Sequence, residues 1–246
     1  MPIIYLSPST QEFNIYVTGQ TEEYEMNKIA DSMVPYLRSN GIGYVRNHPD
    51  MNVRDVIEAS NEGQYDLHLA LHSNAAPEGR FGQVRGSEQY YYPTSIKGKA
   101  FAETLAQNMK KIYPLPRLVK TIPTTSLIEV VQTKAPAVLS EIAYHDNEKD
   151  AIWIAENTEK IAETMVKSIT SHFGLPFVQP QEMQVGKVKT TTEPLNIRGK
   201  PTTESEVLTT VSNGQKLAVW GTWNDWHIVS LNGITGYANK RYVTII

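Results

Sequence analysis

Strand-like apolar runs alternate with helical patterns through the larger, N-terminal part of the chain, and this alternation constrains the fold more than any other feature. Residues 65–72 alternate strictly, so three leucines share one face of a strand and His68 and His72 lie on the other. We expect His68, deeper in the layer, to be a satisfied core histidine. Residues 22–40 have helical spacing, and Pro35 within them predicts a kink or an early end. The pattern predicts an α/β fold with a mainly parallel sheet flanked by helices.

The pattern changes after residues 178–187, which form the expected linker within a stretch, residues 176–187, that contains two prolines and three glutamines. Short strand-like runs then recur about every ten residues, separated by turn-forming residues, which predicts a small all-β barrel. We therefore expect a larger domain over residues 1–177, the linker, and a β domain over residues 188–246. A length of 246 residues suits one large and one small domain.

Composition excludes several classes of protein. The absence of cysteine excludes a disulfide framework, a zinc ribbon and thiol catalysis. No apolar run reaches the ~18–20 residues of a membrane span, and no secretion signal is visible, so we expect a cytoplasmic protein without membrane insertion. Seven basic and four acidic residues give residues 186–246 a charge of +3, and the total of −3 leaves −6 for residues 1–185. This basic excess is too weak to predict nucleic-acid binding.

Three groups of polar residues lie where chemistry could occur. His72 ends the alternating strand, at the edge where open α/β sheets bind ligands. Glu22, Glu23 and Glu25 open the first long helix, where the helix dipole alone favours carboxylates. Glu141 lies inside an apolar strand-like run, where an unpaired carboxylate is costly. We expect Glu141 to be paired, raised in pKa or functional.

Four motifs occur in a recognisable order: Ile-Tyr-Leu-Ser-Pro-Ser-Thr-Gln at residues 4–11, Thr-Glu-Glu-Tyr-Glu-Met-Asn at 21–27, Leu-Ala-Leu-His-Ser-Asn-Ala at 69–75, and Pro-Ala-Val-Leu-Ser-Glu-Ile-Ala at 136–143. Together they resemble the zinc-dependent N-acetylmuramoyl-L-alanine amidases of the Amidase_3 family. In that family a histidine, a glutamate and a second histidine hold Zn²⁺, and a late glutamate performs acid–base chemistry.

The resemblance implies that Glu23 and His72 are zinc ligands and that Glu141 is the catalytic carboxylate. Glu23 is preferred over its acidic neighbours because it precedes Asn27 by four residues, as in the family pattern.

The family's first histidine is missing, because residues 7–14 contain none. The third ligand must then come from the same loop, either Gln11 or Glu12, since Phe13 cannot ligate a metal. Gln11 is favoured because it directly follows Ser-Pro-Ser-Thr, where the family's histidine lies relative to the opening strand. A neutral amide oxygen would hold zinc weakly.

The C-terminal part resembles a bacterial SH3-like domain. Leu-Asn-Ile-Arg at residues 195–198 is similar to its opening motif, and Gly-Tyr at 236–237 to a late one. Such domains commonly bind cell-wall peptide, and Trp220, Trp223 and Trp226 are the candidates for an aromatic platform, although at least one of them should be barrel core.

The two resemblances imply a peptidoglycan hydrolase that cleaves the amide bond between N-acetylmuramic acid and L-alanine of the stem peptide, targeted to the wall by its SH3-like domain. The layout is similar to that of a phage or prophage endolysin, made in the cytoplasm and released through a holin, although a bacterial autolysin is also possible. Two alternatives are a metal-free, degenerate amidase that binds the cell wall and a carboxypeptidase-like zinc peptidase.

Overall fold

The computed structural model describes residues 1–246. The chain divides into two compact units, of which the larger comprises residues 3–33 and 44–172. The second unit joins residues 1–2 and 34–43 to residues 173–246. The domain bounds expected from the sequence, with a cut at residue 177, remain a prediction.

The α/β part of the chain contains six strands and six helices. In chain order they are β1 (Ile3–Pro8), α1 (Glu22–Ser39), β2 (Gly43–Arg46), α2 (Val53–Glu62), β3 (Leu67–Asn74), β4 (Ser87–Tyr91), α3 (Ile96–Met109), β5 (Val119–Pro123), α4 (Ile128–Val131), β6 (Ala137–Tyr144), α5 (Glu148–Glu156) and α6 (Thr158–His172).

The six strands form one sheet in the order β2-β1-β3-β6-β4-β5. The pairs β1–β3, β3–β6 and β4–β5 are parallel, while β4 runs antiparallel to β6. The expected α/β fold with a mainly parallel sheet is confirmed, with one reversal of strand direction. None of the helices combines the length and the apolar character needed to cross a membrane.

The register of the central strands positions the polar residues. His72 on β3 pairs with Glu141 on β6, and Glu141 pairs with Glu88 on β4. Side chains at paired positions point to the same face of a sheet. His72, Glu141 and Glu88 therefore lie side by side across three neighbouring strands.

Helix α1 continues past Pro35 to Ser39, so the expected early end does not occur. Pro35 lies in the last turns, where its missing N–H removes only one intrahelical bond and little helix follows. Gly41, with φ of 67°, ends the turn after the helix in the left-handed conformation that glycine adopts without strain.

The C-terminal part folds into strands with one short 3₁₀ turn, Lys240–Tyr242, which confirms the predicted all-β domain. They are β7 (Gln184–Val188), β8 (Leu195–Arg198), β9 (Val207–Val211), β10 (Lys216–Trp223), β11 (Trp226–Leu231), β12 (Ile234–Asn239) and β13 (Val243–Ile245). They pair in the order β13-β7-β10-β11-β12-β8-β9, and every described pair is antiparallel. Alternate side chains fill a core that includes Val188, Leu195, Val219 and Val229.

The segment 178–187, expected to be a linker, is only partly irregular. The backbone N–H of Val178 donates to Asn40 Oδ1 at 2.7 Å, and its carbonyl accepts from Asn40 Nδ2 at 2.8 Å. Val178 is buried in an apolar cluster with Trp226 and Ile228, and the segment's last residues open β7. This strand forms because β10 and β13 pair with it from either side.

Candidate active site

His72, near the end of β3, lies between two carboxylates. Its Nδ1 is 2.9 Å from Glu22 Oε1, and its Nε2 is 3.3 Å from Glu129 Oε2. Burial alone would lower the pKa of His72, but the hydrogen bonds to Glu129 and Glu22 raise it well above its usual value. Strand β3 therefore sets the position of the His72 side chain, and Glu22 and Glu129 set the orientation of its ring.

Glu22 is the first residue of α1 and is 1% exposed. Its Oε2 accepts a hydrogen bond from Asn14 Nδ2 at 2.6 Å, and its Oε1 accepts one from the backbone N–H of Ser73 at 3.3 Å. Burial opposes ionisation, yet His72 and Asn14 together lower the pKa of Glu22. Glu22 is therefore a carboxylate held in a fixed position.

Glu23 is the neighbour that the sequence motif favoured as a ligand, and the structure does not bring it to His72. Its Oε1 accepts instead from Asn27 Nδ2 at 3.0 Å, one helical turn further on. Consecutive helical residues point about 100° apart, so only one of the two glutamates can face His72. The structure therefore brings Glu22, and not the expected Glu23, to His72, and which of the two holds a metal stays a prediction.

The loop after β1 supplies Gln11, whose amide Nε2 is 3.4 Å from His72 Nδ1. Gln11 Oε1 accepts from Asn14 Nδ2 at 2.9 Å. Glu12 and Phe13 are exposed on the wall of the cleft beside this loop, and Phe13 is 78% exposed. The loop lines a cleft of about 700 Å³ that reaches His72 and Glu129. Of the loop residues that the sequence offered, Gln11 is the one that meets His72.

Glu141 is brought next to His72 by the pairing of β6 with β3. Its Oε2 is buried and has no hydrogen-bond partner. Burial and the neighbouring carboxylates Glu22, Glu88 and Glu129 raise the pKa of Glu141 to about 8, against the opposing effect of His72. A carboxyl with an unpartnered oxygen and a raised pKa, on the strand next to His72, is typical of acid–base catalysis.

Glu129, on the short helix α4, was missed by the sequence reasoning. Its Oε1 lies 2.9 Å from His68 Nε2 and accepts from the Ser7 hydroxyl. The signal that singled out Glu141, a carboxylate inside an apolar run, also applies to residues 127–131. His68 is satisfied, as expected, because Ser60 Oγ lies 2.9 Å from its Nδ1.

The donor atoms beside His72 decide whether a zinc ion fits. The structure contains no group of three His, Cys, Asp or Glu side chains arranged for a metal. Glu22 Oε1 and the Gln11 amide lie 2.9 and 3.4 Å from His72 Nδ1, close to the about 3.3 Å expected between ligand atoms around tetrahedral zinc. Rotating the Gln11 amide by about 180° would place its Oε1 next to His72, where it could bind the metal. One carboxylate, one imidazole and one amide therefore fit a weakly held Zn²⁺.

Comparison with known proteins identifies both parts of the chain. Residues 11–171, more than half of the chain, match the family model of N-acetylmuramoyl-L-alanine amidases, and residues 193–244 match that of bacterial SH3 domains. Among curated proteins, no similar sequence is found.

Solved structures share the α/β fold. An N-acetylmuramoyl-L-alanine amidase of Nostoc punctiforme is 17% identical with a TM-score of 0.62, and the match covers 70% of this chain and 97% of that one. One from Clostridium difficile 630 is also 17% identical, with a TM-score of 0.63 over 70% and 97% of the chains. The catalytic domain of an endolysin targeting Clostridia difficile is 22% identical, with a TM-score of 0.58 over 70% and 98%. This chain therefore belongs to the N-acetylmuramoyl-L-alanine amidase family and is a peptidoglycan amidase with a C-terminal bacterial SH3 domain.

Proposed function

We propose that this amidase hydrolyses the bond between the lactyl group of N-acetylmuramic acid and L-alanine of the stem peptide. In this proposal Gln11, Glu22 and His72 hold Zn²⁺ at the floor of the cleft, and Glu141 is the acid–base residue. The observation that carries the proposal is the convergence of Glu22 and His72 next to Glu141, whose Oε2 is buried and has no hydrogen-bond partner.

When bound there, zinc supplies Lewis-acid polarisation of the scissile amide and lowers the pKa of a water molecule. Glu141 accepts the water's proton and delivers it to the departing amine of L-alanine. A raised pKa suits both halves of this task, because the carboxyl must take up the proton and then release it. The pairing of β6 with β3 holds Glu141 across from His72, next to the proposed metal site.

The cleft is suited to an extended glycopeptide. Apolar side chains of Met51 and Val53 and the amide of Asn52 line its wall, and Phe13 stands exposed at the loop after β1. Such a mixture of apolar surface and a few polar groups binds a ligand while fixing its orientation.

Incubating the full chain with purified peptidoglycan, with and without a chelator, tests this proposal. We expect new amino-terminal L-alanine, about one zinc per chain by metal analysis, and loss of cleavage on chelation that added zinc restores. New carboxyl termini inside the stem peptide would indicate a carboxypeptidase-like peptidase instead. Wall binding without cleavage or bound zinc would indicate a degenerate wall-binding protein.

We further propose that the SH3 domain binds the stem peptide's carboxylates in a cleft of about 630 Å³, where three cations, Lys189, Arg198 and Arg241, outnumber one carboxylate, Glu193. None of these three cations has a carboxylate within 4.0 Å. Of the expected aromatic platform, Trp226 lines this cleft, whereas Trp220 and Trp223 pack against the buried cluster of Val178 and Ile228. The cations of this cleft, more than aromatic stacking, therefore support binding of the stem peptide.

The place of action is a separate proposal. Similarity to the endolysin domain supports an endolysin or autolysin that is made in the cytoplasm and acts on the wall after release. Fractionation of producing cells before and during lysis tests it. We expect the protein in the cytosol first and on sedimented walls afterwards.

A further inference from the structure

A buried carboxylate connects two histidines beneath the cleft. Glu129, 5% exposed, lies with one oxygen 2.9 Å from His68 Nε2 and the other 3.3 Å from His72 Nε2. None of the four motifs that resemble the amidase family contains Glu129.

We propose that Glu129 is a positioning residue for His72, an inference that rests on the proposed zinc site. A neutral imidazole has one N–H and one lone pair, and only the lone pair can bind a metal. Both ring nitrogens of His72 face carboxylates in the metal-free structure. Where zinc takes the place of the Nδ1 proton, Glu129 accepts the remaining Nε2–H and leaves the Nδ1 lone pair for the metal. A carboxylate partner on the far nitrogen also makes the ligating nitrogen more basic. The more basic Nδ1 of His72 compensates in part for the weak binding of zinc by the neutral amide of Gln11.

Glu129 is itself held in place. The Ser7 hydroxyl donates to the same oxygen that contacts His68, and His68 is fixed on its other nitrogen by Ser60 Oγ at 2.9 Å. The His68 ring stacks on Tyr5 at a centroid distance of 5.3 Å and an angle of 11°. The orientation of His72 is therefore set by a chain of contacts that reaches back through β3 to β1.

Glu129 is not itself a ligand of the proposed ion. It contacts Nε2, whereas Glu22 and Gln11 approach Nδ1, so the imidazole ring separates Glu129 from them. Its effect on zinc must therefore pass through the orientation and tautomer of His72.

Zinc affinity, measured by competition with a chromogenic chelator, tests the proposal on the full chain. Glu129→Gln keeps the size of the side chain but carries no charge, and we expect zinc to bind about 10–100-fold more weakly. Glu25→Gln is the matched control, since Glu25 is equally buried but pairs with Lys28, and its affinity should equal that of the wild type. Equal affinity of Glu129→Gln and the wild type would overturn the positioning role while leaving the amidase proposal intact.

The ¹⁵N spectrum of the zinc-loaded wild type provides a test without any substitution. We expect His72 to carry its proton on Nε2 and to bind zinc through Nδ1. A proton on Nδ1 would overturn the inference even if Glu129→Gln failed to fold. A wild type that binds no zinc would overturn the proposed metal site and this inference together, whereas analysis of the cleavage products judges the amidase chemistry separately.

Discussion

At the scale of single residues, Glu22 and Glu23 form a natural pair for testing the metal site. Glu22 contacts His72 and Glu23 contacts Asn27, although the two residues are adjacent. We expect Glu22→Gln to lose zinc and at least tenfold in activity, since it removes the only charged ligand of the proposed site. Glu23→Gln should retain both. Metal analysis after dialysis, together with an amidase assay, measures the difference, and the reverse order would reinstate Glu23.

Glu141 should be separable from metal binding. Glu141→Gln preserves shape but cannot accept a proton, so we expect turnover to fall by roughly 10²–10⁴-fold. Its zinc content should remain that of the wild type. Glu88→Gln is the control, because Glu88 lies beside Glu141 but is hydrogen-bonded to Tyr90 and Asn74. A loss of turnover as large in Glu88→Gln would point to general electrostatics rather than proton transfer.

The carboxyl of Glu141 should also make the stability of the folded protein depend on pH. In the folded, metal-free protein the pKa of Glu141 is about 8, above its ordinary value of 4.5, because burial disfavours the charge. The stability contributed by its neutral form is complete below the ordinary pKa and is lost as pH rises through the folded pKa. The thermal midpoint of Glu141→Gln should therefore rise relative to the wild type between about pH 5 and about pH 8. A difference independent of pH, measured in chelator, would contradict this.

Local chemistry predicted part of the site. His72 and Glu141 could be found because a strand end and a carboxylate in an apolar run are visible in the sequence. The choice between Glu22 and Glu23 could not be made, because it depends on how α1 is rotated against β3. Glu129 carried a visible signal, but its partner His68 is 61 residues away, and only the fold brings the two together.

At the scale of elements, the end of α1 is anchored by Asn40. This fully buried amide bonds both backbone groups of Val178. Asn40→Ala leaves those groups without partners, and we expect a loss of about 1–3 kcal/mol in the free energy of unfolding. Asn61 is the control, since it likewise bonds the backbone at Gln132 and Lys134, but water can reach the site. Chemical denaturation measures both variants, and equal losses would show that burial does not matter here.

The strands that were predicted carry their own apolar pattern, as β3 and β6 do. Strand β7 was not predicted, because two of its five residues, Gln184 and Lys187, are polar and exposed. Its pairing partners, β10 and β13, lie far from it along the chain. A strand of this kind forms because distant strands pair with it, so its own sequence does not predict it.

At the scale of the whole molecule, the structure makes a cut at residue 177 costly. Residues 34–43 belong to the same compact unit as residues 173–246, and Val178 lies in its buried cluster. We expect a chain of residues 1–177 to unfold at a lower temperature than the full chain, and to bind walls poorly. Thermal unfolding and sedimentation with peptidoglycan measure both. An unchanged unfolding temperature would show that the α/β part is independent of the rest.

The distribution of tryptophans gives the protein a built-in optical reporter. Trp153 is the one tryptophan of the larger, α/β unit and packs edge-on against Tyr113. The other three tryptophans lie in the second unit, which is rich in β strands. Indole emission is therefore weighted toward the β-rich unit, while the far-ultraviolet dichroism of helices comes largely from the α/β unit. Trp153→Phe would make the emission report on the β-rich unit alone. One sample followed by both signals thus distinguishes concerted from successive unfolding of the two units.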